Sequence, residues 1–197
     1  ALHLAVQQGH INSVRELLTE SSVDATAVNS RGQNALHTLA HYGKDNAGAI
    51  FEIFRQSRPD FPINSLDSEE NTALLLAYLN GNGRLCRELL KNGGALSAIN
   101  KTGISVFNAE VASKKLLFSL LDLLCAEPPW SDGSFCHECS IKFSVTNRKH
   151  HCRHCGRLLC AKCSGKQMPI LKYELTKPVR VCEVCFDMLN NAGTSFY

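Results

Sequence analysis

Residues 148–155 read Arg148-Lys149-His150-His151-Cys152-Arg153-His154-Cys155, and they lie within a run of four C-x-x-C pairs. The pairs are Cys136/Cys139, Cys152/Cys155, Cys160/Cys163 and Cys182/Cys185, separated by 12, 4 and 18 residues. Two intervening residues let both thiolates of a pair reach one metal ion, and two pairs complete a tetrahedron of sulfur. Eight of the ten cysteines therefore read as two zinc sites of four thiolates each. Such sites are closed, so the metal is structural and offers no open position for catalysis. The region is too small for much of an apolar core, and metal binding is expected to drive its folding. His137 and His154 lie inside knuckles and read as non-ligands, because four sulfurs already serve each ion. Spacing alone leaves open which pairs share an ion. The alternative use of so many cysteines is a secreted disulfide framework. No signal peptide is read at the N terminus, and a start at Ala1 without Met reads as a segment of a longer protein.

Outward from the cysteines, charge divides the chain. Residues 130–197 carry ten Lys+Arg against five Asp+Glu, a net +5, whereas residues 1–129 carry 11 against 13, a net −2. The C-terminal region therefore seeks an anionic partner, either a nucleic acid or a phospholipid surface. Eight thiolates on two Zn²⁺ contribute −4 formally, so the basic side chains must act as a local patch. Five basic or titratable side chains fall within the six positions from Arg148 to Arg153, and held on a zinc-anchored backbone they make a compact phosphate site. A hydrophobic content of 44% with 20% charged residues argues against wholesale disorder. The most apolar run, Leu116 to Cys125, is broken by Asp122 and is far shorter than the ~20 residues of a membrane span. The sequon Asn100-Lys101-Thr102 reads as an unused match.

The N-terminal region repeats. Ala1-Leu2-His3-Leu4-Ala5 returns as Ala35-Leu36-His37-Thr38-Leu39-Ala40 and as Ala73-Leu74-Leu75-Leu76-Ala77, with a degenerate copy at Gly103 to Phe107. Each copy is expected to hold two short one-sided helices around a turn, such as Asn80-Gly81-Asn82-Gly83, and to bury them by stacking on its neighbours. Gly93-Gly94 supplies a left-handed helix end, and the second copy carries an insertion around Gln56 to Pro62. Cys86 and Cys125 lie on apolar stripes and read as small core hydrophobes. Residues 1–126 hold no Gly-rich phosphate loop and no nucleophile–base pair, so the chain is read as no enzyme. Leu116 to Leu124 reads as the outer helix of the last repeat, and Glu127-Pro128-Pro129 ends it.

A period near 33 with a TPLH-like start and a closing glycine resembles the ankyrin repeat. The resemblance implies that His3 and His37 hydrogen-bond the loops between repeats, and that the stack binds a protein partner. Leu75 stands where the third copy would carry that histidine. Eight cysteines around R-K-H-H-C-R, closed by Arg180-Val181-Cys182, resemble the FYVE domain. By that resemblance the knuckles interleave: Cys136, Cys139, Cys160 and Cys163 bind one zinc, and Cys152, Cys155, Cys182 and Cys185 the other. FYVE domains bind phosphatidylinositol 3-phosphate. The resemblance assigns the 3-phosphate to Lys149, Arg153 and Arg180, and the 1-phosphate to Arg148. It assigns the ring hydroxyls and neighbouring phosphate to His150, His151 and Asp132, and membrane insertion to Val145 and Thr146. Phe143, at the base of that loop, reads as core. The family spaces its Trp and Asp by two residues; Trp130-Ser131-Asp132 has one, and only three residues separate Asp132 from Cys136. The shortening bears on selectivity for the ring.

The expected fold is a mostly α ankyrin-repeat solenoid over residues 1–126 (about four copies, the first incomplete and the last degenerate). A linker at 127–129 leads to a small two-zinc FYVE-type α+β domain over 130–190 and a tail over 191–197. This order resembles endosomal effectors of Rab-family GTPases in endocytosis and macropinocytosis. It implies a cytosolic adaptor, peripheral on early endosomes and macropinosomes, with two structural zinc ions and avidity from a homodimer or a second module. A RING-like ubiquitin ligase module would need Cys/His ligands. A nucleic-acid zinc finger would spread its basic residues along a face.

Overall fold

In the computed structural model the repeats form three helical pairs: α1 (Leu2–Gln8) with α2 (Ile11–Thr19), α3 (Ala35–Tyr42) with α4 (Ala47–Ser57), and α5 (Ala73–Leu79) with α6 (Gly83–Lys91). The structure describes residues 1–110 and 114–192, so the tail expected over 191–197 lies outside the described residues from 193 onward. Contacts divide the chain into two compact units, Ala1–Ala112 and Ser113–Tyr197. In the first unit α1, α3 and α5 stack as one row, and α2, α4 and α6 as another. The first row packs on the second, and Leu2, Val6, Leu36, Leu39, Leu74 and Leu75 of the one and Val14, Leu18, Ile50, Phe54, Leu85 and Leu89 of the other are all buried. Among the described residues of this unit no helix exceeds 11 residues. Isolated helices of that length are marginal in water, so burial between neighbours is what holds them.

The connecting loops repeat as closely as the helices. Asn29, Asp67 and Asn100 each accept, on the side-chain oxygen, the backbone N–H groups two and four residues on: Arg31 and Gln33, Glu69 and Asn71, Thr102 and Ile104. The third position beyond the Asn or Asp is left-handed, with φ 68° at Gly32, 61° at Glu70 and 82° at Gly103. Successive loops are joined by Ser68 N–H to Arg31 O (2.9 Å) and Lys101 N–H to Glu69 O (3.0 Å). Asn100 Nδ2, the atom a glycan would take, donates to Asn71 Oδ1 at 2.9 Å, which agrees with an unused sequon.

The TPLH-position histidines span repeats as expected. His3 Nε2 donates to Gln33 O at 2.8 Å, and His37 Nε2 reaches Ser65 O and Asn71 O at 3.0 and 3.1 Å. His37 Nδ1 accepts from Asn34 N–H at 3.2 Å, which fixes the tautomer. Burial holds this ring below the usual histidine range. The insertion in the second copy lengthens α4 and folds Phe61 back onto Phe54, edge to face at 5.5 Å.

Three expectations change here. In the fourth copy the first-helix positions form turns, with Asn108 Oδ1 accepting from Ser105 N–H and Oγ–H. An Asn side chain bonding its own backbone competes with helix formation. The leucine-rich helix α7 (Lys114–Asp122), expected as the outer helix of the last repeat, belongs to the second unit. Its Leu117, Leu120 and Leu121 are buried, it packs on α8 (Glu183–Ala192), and Lys172 Nζ donates to the carbonyls of Leu121 and Asp122 at its C-terminal end. Cys86 is fully buried, and burial pushes its thiol up to about 12. Cys125 is exposed, because the helix ends three residues before it.

The second unit is otherwise built from two small antiparallel sheets. Strand β1 (His150–His151) pairs with β2 (Leu158–Leu159), and β3 (Lys166–Ile170) pairs with β4 (Leu175–Val181) across a bulge near Pro169. Among the described residues no helix is long and apolar enough to cross a membrane.

Candidate metal centres and the adjoining basic cluster

The Cys136 and Cys152 knuckles are tight turns of one geometry. Cys136 N–H bonds Ile141 O and Ser140 N–H returns to Cys136 O; Cys152 N–H bonds Arg157 O and Gly156 N–H returns to Cys152 O. Both turns need a left-handed fifth residue, supplied by Ser140 (φ 56°) and Gly156 (φ 75°). The fourth pair opens α8, whose first turn carries Cys185.

These turns gather the thiols into two groups, Cys136/Cys139/Cys160/Cys163 and Cys152/Cys155/Cys182/Cys185. Within each group all four Sγ atoms lie within 4.8 Å of one another. Four convergent thiols in that space fit tetrahedral zinc, and the pairing interleaves. The surroundings suit thiolate: Cys160 N–H donates to Cys136 Sγ at 3.3 Å, and His154 Nδ1 lies 3.3 Å from Cys185 Sγ. His154 is fully buried, stacked 5.5 Å from Tyr173, and held down to about 3 mainly by burial, so the neutral ring donates its N–H. It supports a ligand without being one. His137, at about 4 through burial and Arg157, also stays outside the thiol groups. The two sites differ in access. The second is buried on all four residues, whereas in the first Cys139 is exposed and Cys163 half-buried.

Arg157 was not singled out by the sequence. Its side chain is 1% exposed. Burial alone would lower its guanidinium, but the Cys155 and Cys182 thiols and the Glu138 carboxylate, 2.8 Å away, outweigh that and raise it. A zinc bound by four thiolates carries −2, and a buried cation beside it offsets that charge.

The basic cluster stands on the same scaffold. Strand β1 presents His150 and His151, and Arg153 N–H donates to Arg180 O at 2.9 Å, joining the segment to β4. Arg148 and Lys149 are exposed, whereas His150, His151, Arg153 and Arg180 are half-buried. Burial, then Arg180, His151 and Arg148, hold His150 below the ordinary histidine range. Lys149 Nζ meets Asp132 Oδ1 at 2.5 Å, so the shortened Trp130–Asp132 segment still brings Asp132 into the cluster. The hydrogen bond from Lys149 holds the Asp132 carboxyl below its usual range. His151 Nε2 donates to Ser131 O at 2.9 Å and stacks on Trp130 at 4.7 Å, while the Arg153 guanidinium lies 4.0 Å over the indole. Arg180 donates to Ser164 O at 2.8 Å.

Val145 projects from the adjoining loop, 92% exposed. Ser144 N–H bonds Asn147 O and Asn147 N–H bonds Ser144 Oγ, so a closed turn holds Val145 and Thr146 at its tip. Phe143, expected as core, is half-buried. The segment at 127–129, read as a linker, is docked: a Cβ on Gly156 would meet Pro129 O at 2.6 Å, and Ser131 N–H donates to Gly156 O at 2.9 Å.

Comparison with known proteins matches this architecture. The model for ankyrin repeats, in three copies, matches residues 2–102, and that for the FYVE zinc finger matches residues 129–191. The chain is 57% identical to Rabankyrin-5 of Mus musculus over 97% of its length, and 56% identical to Rabankyrin-5 of Homo sapiens over 96%. It spans 16% of the length of either relative. The hepatocyte growth factor-regulated tyrosine kinase substrate of Drosophila melanogaster is 53% identical over 62 residues, 32% of this chain and 8% of that protein. The chain belongs to the ankyrin-repeat family and carries, after its repeats, a FYVE zinc finger with two four-cysteine zinc sites.

Proposed function

We propose that this chain reads phosphatidylinositol 3-phosphate on the cytoplasmic face of early endosomes and macropinosomes, while its ankyrin stack holds a protein partner there. It acts as an adaptor and not as an enzyme. The observation that carries the reading is the gathering of six basic side chains: Arg148, Lys149, His150, His151 and Arg153 in and around strand β1, and Arg180 on β4, joined to them through Arg153 N–H and Arg180 O, with the exposed Val145 tip on the loop just before Arg148.

In this reading Lys149, Arg153 and Arg180 hold the 3-phosphate, with arginine supplying several donors in fixed geometry. Arg148 takes the 1-phosphate. His150, His151 and Asp132 hydrogen-bond the ring and the neighbouring phosphate. Asp132 also repels a phosphate at adjoining ring positions, which disfavours more highly phosphorylated lipids. Val145 and Thr146 enter the headgroup layer and bury apolar surface there. The zinc ions hold the knuckles, and the chain's own side chains do the binding. The domain order and the similarity to Rabankyrin-5 support a role as an effector of a Rab-family GTPase in endocytosis and macropinocytosis. A homodimer or a second module supplies avidity.

The test is sedimentation with vesicles that contain or lack phosphatidylinositol 3-phosphate, for wild type and Arg153→Ala. The reading expects strong binding only for wild type with the lipid. Equal binding in all four combinations rejects it.

A further inference from the structure

The cation assigned to the 3-phosphate, Arg153, already faces an anion of this chain. Glu127 Oε1 lies 3.8 Å from Arg153 Nε and accepts from Trp130 Nε1–H at 2.9 Å. The Arg153 guanidinium rests 4.0 Å over the Trp130 ring, so carboxylate, indole and guanidinium form one closed contact set. Glu127 is placed there by its backbone. Two prolines follow it, Pro129 O sits where a side chain on Gly156 would clash, and Ser131 N–H is tied to Gly156 O. A carboxylate presented on such a pinned segment stays near its partner, unlike one on a freely moving side chain and loop. Glu127 and Arg153 are also partly shielded, at 37% and 33% side-chain exposure, so water screens the pair incompletely.

We propose that Glu127 is an internal competitor for the phosphate: its carboxylate occupies Arg153 in the free protein and must yield when the lipid phosphomonoester arrives. The affinity of the site is thereby set below what its basic residues would give alone. This inference rests on the phosphoinositide reading above. The residue is affinity-determining and need not touch the lipid. Its negative charge, left beside the bound phosphate, also repels it.

Glu127→Gln separates the two contacts, because the amide oxygen can still accept from Trp130 Nε1 while the charge facing Arg153 is gone. The full zinc-loaded chain is titrated with phosphatidylcholine vesicles that contain or lack phosphatidylinositol 3-phosphate. The panel is wild type, Glu127→Gln, Glu127→Ala, Arg153→Ala and the Glu127→Gln/Arg153→Ala double variant, each checked for zinc content. Glu127→Gln is expected to bind the lipid vesicles about two- to fivefold tighter, the span of an exposed ion pair. That gain should vanish in the Arg153→Ala background. Wild-type binding to the lipid with no gain in either Glu127 variant overturns the proposal, and so does a gain that survives Arg153→Ala. A wild type that ignores the lipid rejects the phosphoinositide reading itself, and this inference falls with it.

Discussion

At Arg157 a guanidinium is held almost fully out of water against the Cys155 and Cys182 thiols and the Glu138 carboxylate. Removing one partner from such a buried arrangement leaves uncompensated charge. Arg157→Met is therefore expected to lower the unfolding free energy of the zinc-loaded protein by about 3–5 kcal/mol in chemical denaturation, with Arg157→Lys recovering part of it. An unchanged denaturation midpoint would contradict this role. His150 gives a pH dependence. Burial and the neighbouring Arg180 hold its free-state pKa below the ordinary value, so it is neutral at pH 7. A phosphate alongside favours the imidazolium, hence affinity should rise as pH falls. Because the free ring titrates low, the gain should continue below about pH 6.5. Vesicle affinity flat from about pH 8 to 5.5 would sink this account, and His150→Gln should remove most of the response. Some residues are legible in the sequence because their meaning is local: His37 by its place in the repeat, the cysteines by their pairing. Arg157 is not, since its partners at 138, 155 and 182 converge only after the knuckles interleave. Cys125 misleads because the leucines run on to Leu124 while the helix itself ends at Asp122.

The elements carry a second asymmetry. Each four-cysteine site contains one knuckle turn of the same geometry, yet one site is sealed on all four residues and the other opens at Cys139 and Cys163. A chelator should accordingly remove zinc in two phases, one ion well before the other. Cys139 and Cys163 should become alkylatable before Cys152 and Cys185, as read by mass spectrometry. Simultaneous release from both sites would contradict the inequality. The Val145 turn is held by Ser144 and Asn147 and presents an almost bare valine. Val145→Asp should weaken vesicle binding by on the order of tenfold while leaving binding of a soluble inositol phosphate unchanged; an equal loss for both ligands would place Val145 in the fold instead. The helical pairs are readable from periodicity. The allegiance of α7 is not, because a leucine stripe says that a helix is buried but not against what. Here the partners are α8 and the Lys172 ammonium at its C-terminal carbonyls.

Across the whole molecule, two compact units answer to two chemistries. The first is a stack whose side-chain-capped loops repeat at residues 29, 67 and 100, and its stability is shared between neighbours. The second gathers ten Lys+Arg against five Asp+Glu over residues 130–197, with the arginines and lysine assigned to the phosphate concentrated near two zinc sites. The charge split is legible from residue counts alone. The way Asp132 and Glu127 each face one of those cations is not, since both precede the first knuckle and reach the cluster only through the docked segment around Pro129 and Ser131. The central claim is that this face reads a 3-phosphate on a membrane. Its most direct measurement compares zinc-loaded wild type and Arg153→Ala for binding to vesicles that differ only in phosphatidylinositol 3-phosphate. The account predicts lipid-dependent binding by wild type that is largely lost in Arg153→Ala, and wild type binding both kinds of vesicle equally would contradict it.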